Sequence, residues 1–202
     1  PEQALLSALR ANVKAVEKPN FIQLQKADIV VVATGTYDSE NIERPFAMEE
    51  EDEALVRMAC AANKKVIVLV LSGSGIDMSA WHDKVSAIIY GWYPGQAGGT
   101  AIVDVLFGKY NPAGRLPVTF YRDIKQLPDF QDYSMRGRTY RYFRGNPLYD
   151  FGYGLSYTTF EYGKAKLSKG AMDKNGTCTI VIPVMNTGKL AGEEVVQVYI
   201  RR

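Results

Sequence analysis

Three short aliphatic runs, Asp28 to Ala33, Val66 to Leu71 and Ser86 to Trp92, constrain this chain more than any other feature it carries. Runs of Val, Ile and Leu without regular polar alternation are the pattern of strands buried on both faces. Helical patterns separate and follow them. Leu55, Val56, Met58, Ala59 and Ala62 come after the first run. Ala97 to Phe107 come after the third, with Gly108 as a C-cap and Asn111-Pro112 as a stop. Strands alternating with helices predict βαβ units and a mostly parallel sheet covered on both faces, an α/β fold built as a three-layer α/β/α sandwich. A further helix is expected over Glu2 to Val16, from the spacing of Leu5, Leu6, Leu9, Val13 and Val16. In such folds the loops leaving the strand carboxyl ends carry the chemistry, here residues 35–48, 72–80 and 93–96.

The pattern changes after Lys109, where prolines at 112, 117, 128 and 147 break the chain into loops and short strands. It changes again after Thr158. Phe160 to Leu167, Thr177 to Val184 and Glu194 to Ile200 read as three strands of a partial antiparallel β segment, with Asn186-Thr187-Gly188 as a turn. The chain is thus expected to divide into an α/β domain over 1–157 and a β segment over 158–202. A β-sandwich normally needs about seven strands, so these three either pack on the α/β part or belong to a sandwich cut short.

Charge excludes several partners. The 24 basic and 22 acidic residues leave a net of +2, which gives neither nucleic acid nor an anionic membrane surface a footprint. The longest aliphatic run, Val66 to Leu71, is far too short for membrane insertion. Apolar residues make up 47% of the chain, which argues against disorder. Cys60 and Cys178 leave a disulfide possible but poorly supported, and with the lone His82 they make no convincing zinc site. No metal or cofactor is called for. Pro1-Glu2-Gln3 shows no secretory signal and no initiator Met, as expected of a processed or excised chain.

Candidate chemistries sort unequally. Ser72-Gly73-Ser74-Gly75 lacks the Gly-Lys-Ser/Thr of a phosphate loop, and Met78 stands where a dinucleotide fingerprint needs glycine. His82 is the only histidine for a catalytic triad, and beside Trp81 on a helical stretch it reads as packing or surface. The acidic run Glu49 to Glu53 opens a helix, where negative charge complements the positive helix end better than it suggests a metal. The loop Thr34 to Phe46 is more informative. It sets Asp38, Glu40 and Glu43 beside Arg44 at a strand carboxyl end, where a carboxylic acid could serve as a general acid. A solvated polar loop with a Glu43–Arg44 contact is the plain alternative. Of the 23 aromatics, 14 fall between Tyr110 and Tyr162, either as platforms for sugar rings or as filling for an irregular segment.

Several segments together resemble family 3 glycoside hydrolases. Tyr93-Pro94-Gly95-Gln96-Ala97-Gly98-Gly99, Asp104-Val105-Leu106-Phe107-Gly108 and Asn111-Pro112-Ala113-Gly114-Arg115-Leu116-Pro117-Val118-Thr119-Phe120 are similar to that family's C-terminal α/β domain. Gly137 to Phe143 and Pro147 to Phe160 are similar to the segment joining it to the next domain. Asn186-Thr187-Gly188 and Ala191 to Tyr199 resemble the opening strands of the family's fibronectin type III-like domain.

The resemblance implies a fragment of a retaining β-glycosidase, of β-glucosidase or β-xylosidase type, acting on β-linked glucosides or xylosides. It implies a nucleophilic aspartate in a missing N-terminal barrel domain, and an acid/base glutamate in a Glu-Gly-x-Asp-Arg type loop. That loop reads Glu40-Asn41-Ile42-Glu43-Arg44 here, with Glu40 at the acid/base position and Glu43 as second candidate. Asn41 replaces the usual glycine and Glu43 the usual aspartate. Tyr37, Arg44 and Trp92 are the substrate-side candidates, Arg44 more as a brace of the loop than as a sugar contact. Arg138 to Phe143 are assigned to domain packing. A periplasmic or secreted location is implied by the resemblance alone. The alternative is a non-catalytic carbohydrate-binding or scaffold α/β module.

Overall fold

In the computed structural model, which describes residues 13–37, 40–41 and 44–200, the three aliphatic runs form one parallel sheet. Strands β1 (Val30–Gly35), β2 (Val66–Leu71) and β3 (Ala87–Tyr90) lie side by side in chain order. Val30 pairs with Val66 and Gly35 with Leu71, while Ile67 pairs with Ala87 and Val70 with Tyr90. The central strand β2 shows why its residues carry no polar alternation. Val66, Val68 and Val70 enter a core with Val56, Ala59 and Trp81, while Leu69 packs on Ile102 and Val103 on the other face.

Helices supply both covers. α1 (Phe21–Lys26) and α2 (Glu50–Ala62) flank one face, and α3 (Gly98–Leu106) covers the other, so the sheet is the middle of three layers. Each fully buried Val or Leu contributes on the order of 1.5–3 kcal/mol to this arrangement. α3 ends as expected, with Gly108 in the left-handed region at φ 70°. The acidic first turn of α2 is used structurally. Asp52 accepts a hydrogen bond from the Thr34 hydroxyl, and Glu53 pairs with Arg57 at 3.3 Å. Among the described residues no group of three or more His, Cys, Asp or Glu is placed to hold a metal ion.

Several expectations need correction. Of the helix expected over 2–16, residues 2–12 lie outside the described residues, and 13–16 are not helical. A helix not expected from the sequence, α1, stands at 21–26, capped by Asn20, whose side chain accepts from the Gln23 amide while the Gln23 side chain accepts from Asn20. β3 stops at Tyr90, short of the expected Trp92. The link from β2 to β3 contains no helix, and His82 sits in a turn with its amide on the Met78 carbonyl at 2.9 Å. Trp81 in this link is fully buried in the core, its indole N–H 3.2 Å from Met48 Sδ. Cys60 and Cys178 are both free thiols.

The C-terminal segment forms small antiparallel pairs. α4 (Thr139–Tyr142) precedes it, and β4 (Phe160–Tyr162) pairs with β7 (Val184–Asn186), and β5 (Lys166–Leu167) with β6 (Ile180–Val181). The expected first strand is thereby broken at 163–165 and the second at 182–183, where Pro183 has no amide to donate. The expected third strand, 194–200, joins no ladder among the described residues, and Ile200 is 94% exposed. Side-chain bonds hold it instead. Arg115 Nη2 lies 2.6 Å from Glu194 Oε2, the Tyr162 hydroxyl donates to Glu194 Oε1 at 2.6 Å, and the Gln197 amide donates to the Gly152 carbonyl at 3.3 Å.

Candidate functional site

The loops that leave β1, β2 and β3 gather at one edge of the sheet because all three strands are parallel. The first loop begins at Thr36, directly beyond the β1–β2 pairing, where the Thr36 amide donates to the Leu71 carbonyl at 2.9 Å. Its hydroxyl donates to Ser72 Oγ at 2.7 Å, and Ser72 Oγ donates in turn to the Ser74 carbonyl at 2.8 Å. Ser72 is fully buried, so this chain of hydroxyls satisfies a polar group that burial would otherwise penalise. From the third loop, the Tyr93 hydroxyl donates to the Thr36 carbonyl at 2.9 Å.

The far end of the same loop is fastened separately. Arg44 Nη2 donates to the Ser74 hydroxyl and, at 3.2 Å, to the Gly75 carbonyl, while Nη1 donates to the Pro45 carbonyl at 2.8 Å. The Asp77 amide adds a 2.8 Å bond to the Phe46 carbonyl. The Tyr90 hydroxyl steadies the second loop through the Ser74 carbonyl. The loop bearing Glu40 is therefore clamped at both ends, with Glu40 and Asn41 exposed between the clamps. An exposed carboxylate on a loop fastened at both ends can present itself to a surface brought against it.

The sequence candidates separate at this edge. Glu40 and Tyr37 are exposed, Tyr37 to 86%, and Arg44 is half-buried as the loop's brace. Glu43 and Asp38 lie outside the described residues. Trp92 follows β3 with φ 53°, a left-handed backbone that an aromatic residue seldom adopts. Its ring packs edge-on against Tyr90 at 5.0 Å and Phe120 at 6.0 Å, half-buried. Ser72, Ser74, Tyr90 and Tyr93 were not candidate site residues in the sequence, Ser72 and Ser74 having been weighed only as part of a phosphate loop. Their roles come from contacts tens of residues apart, for which the only sequence signal is that all leave or end neighbouring parallel strands. The Ser72 to Gly75 turn, unsuited to phosphate by pattern, spends its serine groups on this bracing.

The other aromatic segment packs on itself. Tyr140 stacks on Phe151 at 4.4 Å, Tyr149 on Tyr153 at 5.0 Å, and Phe143 meets Tyr121 edge-on at 5.1 Å. Arg138 donates to the Ser134, Asp129 and Asp132 carbonyls, which ties this segment together.

Comparison with known proteins adds an independent line. Residues 2–157 match the model of the glycosyl hydrolase family 3 C-terminal domain. The chain is 51% identical over 164 residues to a xylan 1,4-beta-xylosidase of Xylanibacter ruminicola, covering 81% of this chain and 18% of that protein. It is 34% identical over 193 residues to a periplasmic beta-glucosidase of Salmonella typhimurium, covering 88% of this chain and 25% of that protein. Its structure superposes on a beta-D-glucoside glucohydrolase from Trichoderma reesei with a TM-score of 0.78 and 23% identity, covering 93% of this chain and 32% of that one, a likeness of fold. The chain thus spans roughly a fifth to a third of the length of these proteins.

Proposed function

Because the chain belongs to the glycosyl hydrolase family 3 C-terminal domain family, we propose that it is the part of a retaining β-glycosidase that contributes the general acid/base, Glu40. The nucleophilic aspartate then belongs to an N-terminal barrel of the complete protein. The observation that carries this reading is the double clamp on the Glu40 loop, Thr36–Ser72 at one end and Arg44–Ser74–Gly75 at the other, with the carboxylate exposed between. Retaining hydrolysis needs two carboxyl groups about 5–5.5 Å apart, and a clamped, outward-facing carboxylate suits a site completed by a second domain. Glu40 protonates the departing glycosidic oxygen, then takes a proton from water as the glycosyl-enzyme is hydrolysed. Glu43 remains the second candidate for this role.

The similarity to a xylosidase and to a beta-glucosidase supports β-linked xylosides and glucosides as the substrate class. The Salmonella relative's periplasmic name supports a periplasmic or secreted setting, and among the described residues no helix is long and apolar enough to cross a membrane. The division at residue 157 belongs to the same proposal, supported by the end of the family match there.

The test assays the 202-residue chain on aryl β-xyloside and β-glucoside, alone and as part of the complete protein. Hydrolysis by the complete protein and none by the chain alone is expected. Full turnover by the chain alone would rule out a shared active site. A complete protein that binds saccharides but hydrolyses neither glycoside would favour the non-catalytic module suggested by Asn41 and Glu43.

A further inference from the structure

A concavity lies apart from the Glu40 loop, in the segment that packs the aromatics. Residues Thr119, Tyr140, Phe143, Asp150, Phe151 and Tyr199 line most of a cleft of about 380 Å³, within the range of small-molecule sites. Its polar groups are placed by the bridge between Phe120 and Tyr149. Phe120 is buried against Tyr90, Trp92 and Tyr149, facing the core. Successive side chains of extended backbone point to opposite sides, so Thr119 and Asp150, the neighbours of the bridge, face the cleft. The Thr119 hydroxyl oxygen is itself buried beneath the lining with no hydrogen-bond partner, while Asp150 is exposed at the cleft.

We propose that this cleft is an accessory binding site for a neutral saccharide, independent of the acid/base assignment of Glu40. Its lining matches a pyranose ring. The Tyr140 and Tyr199 rings, 5.7 Å apart and both partly exposed, offer apolar surface to the C–H face of the sugar. The Asp150 carboxylate accepts from the sugar hydroxyls. No Lys or Arg lines the cleft, so anionic ligands such as phosphate find no countercharge there. Phe143 holds one wall, lying so close over Gly145 that a Cβ there would come within 2.5 Å of its ring.

The test is an amide-resolved NMR titration of the chain with xylotetraose, with the acyclic polyol sorbitol as control. Saturable shifts centred on Thr119, Tyr140 and Asp150 are expected with xylotetraose and not with sorbitol. Asp150→Asn should weaken binding about tenfold or more, the usual scale for a hydrogen bond to a charged group. Thr119→Val should raise the melting temperature and leave binding near wild type, because it removes a buried, unsatisfied hydroxyl that the ligand does not touch. Backbone spectra of both variants verify the fold. Absence of saturable shifts at these amides, equal shifts with sorbitol, or wild-type affinity in the folded Asp150→Asn variant would overturn the proposal.

Discussion

Replacing Gly35 by Ala probes the joint on which the Glu40 loop depends. A Cβ at Gly35 would lie 2.4 Å from the Leu71 carbonyl oxygen and 3.2 Å from Leu71 Cβ. Ordinary contact begins at 3.4 Å, so 3.4 − 2.4 leaves about 1 Å by which the ends of β1 and β2 must part. The same Leu71 oxygen accepts the Thr36 amide at 2.9 Å, so the displacement also strains the first bond of the loop. Overpacking of this kind costs about 1–3 kcal/mol, and a weakened hydrogen bond adds about 0.5–1.5 kcal/mol. Together they amount to about 2–4 kcal/mol, or a fall of about 4–16 °C in melting temperature for a chain of this size. Gly95→Ala is the matched control, because nothing lies within 4 Å of a Cβ there and its stability should change by less than about 1 kcal/mol. Thermal and urea unfolding of the two variants decide the matter. In the complete protein Gly35→Ala should also lower kcat/KM about 100-fold, the usual scale for a 1 Å misplacement of a catalytic group. Equal melting temperatures for wild type, Gly35→Ala and Gly95→Ala would refute the reasoning.

Two further outcomes follow from other parts of the molecule. The Arg115–Glu194 pair, 2.6 Å apart with side chains only 11% and 16% exposed, fastens the C-terminal segment to the 113–117 loop. A double-mutant cycle with Arg115→Met and Glu194→Gln should give a coupling of about 1–3 kcal/mol, and additive single effects would show that the pair contributes nothing. Burial raises the Tyr149 hydroxyl above the ordinary tyrosine range, and the hydrogen bond to Glu194 raises Tyr162. Both folded-state values exceed those of the unfolded chain. Their stabilisation is therefore complete below about pH 10 and is lost as pH rises through the raised values. Urea midpoints should hold up to about pH 10 and fall above it, less so in Tyr149→Phe, and a rising midpoint there would contradict the sign.

Legibility in the sequence followed how local each cause was. β2 matches the expected Val66 to Leu71 because a purely aliphatic run flanked by Lys65 and Ser72-Gly73 admits few other limits. α3 ended where Gly108 could take its left-handed cap. The Asn20–Gln23 cap of α1 was also local, yet only Leu24 of that helix is buried, so its six residues carry little apolar periodicity. Residues 194–200 alternate like a strand, but a strand is defined by its partner, and here side-chain bonds to Arg115, Tyr162 and Gly152 take that place. The Glu40 loop was readable from its carboxylates and its position after β1. Its clamps were not, because Thr36–Ser72 and Arg44–Ser74 join residues 36 and 30 positions apart.

The most direct test of the central proposal is Glu40→Ala in the complete protein, assayed on an activated aryl β-glycoside with and without azide. Loss of a general acid/base should slow natural-type substrates by about 10²–10⁴-fold. The activated leaving group needs little protonation, so its glycosyl-enzyme should form and then wait for a base. Azide needs no base, and should restore turnover with a β-glycosyl azide as product. Unchanged kinetics, or a slowed enzyme that azide does not rescue, would contradict Glu40 as the acid/base.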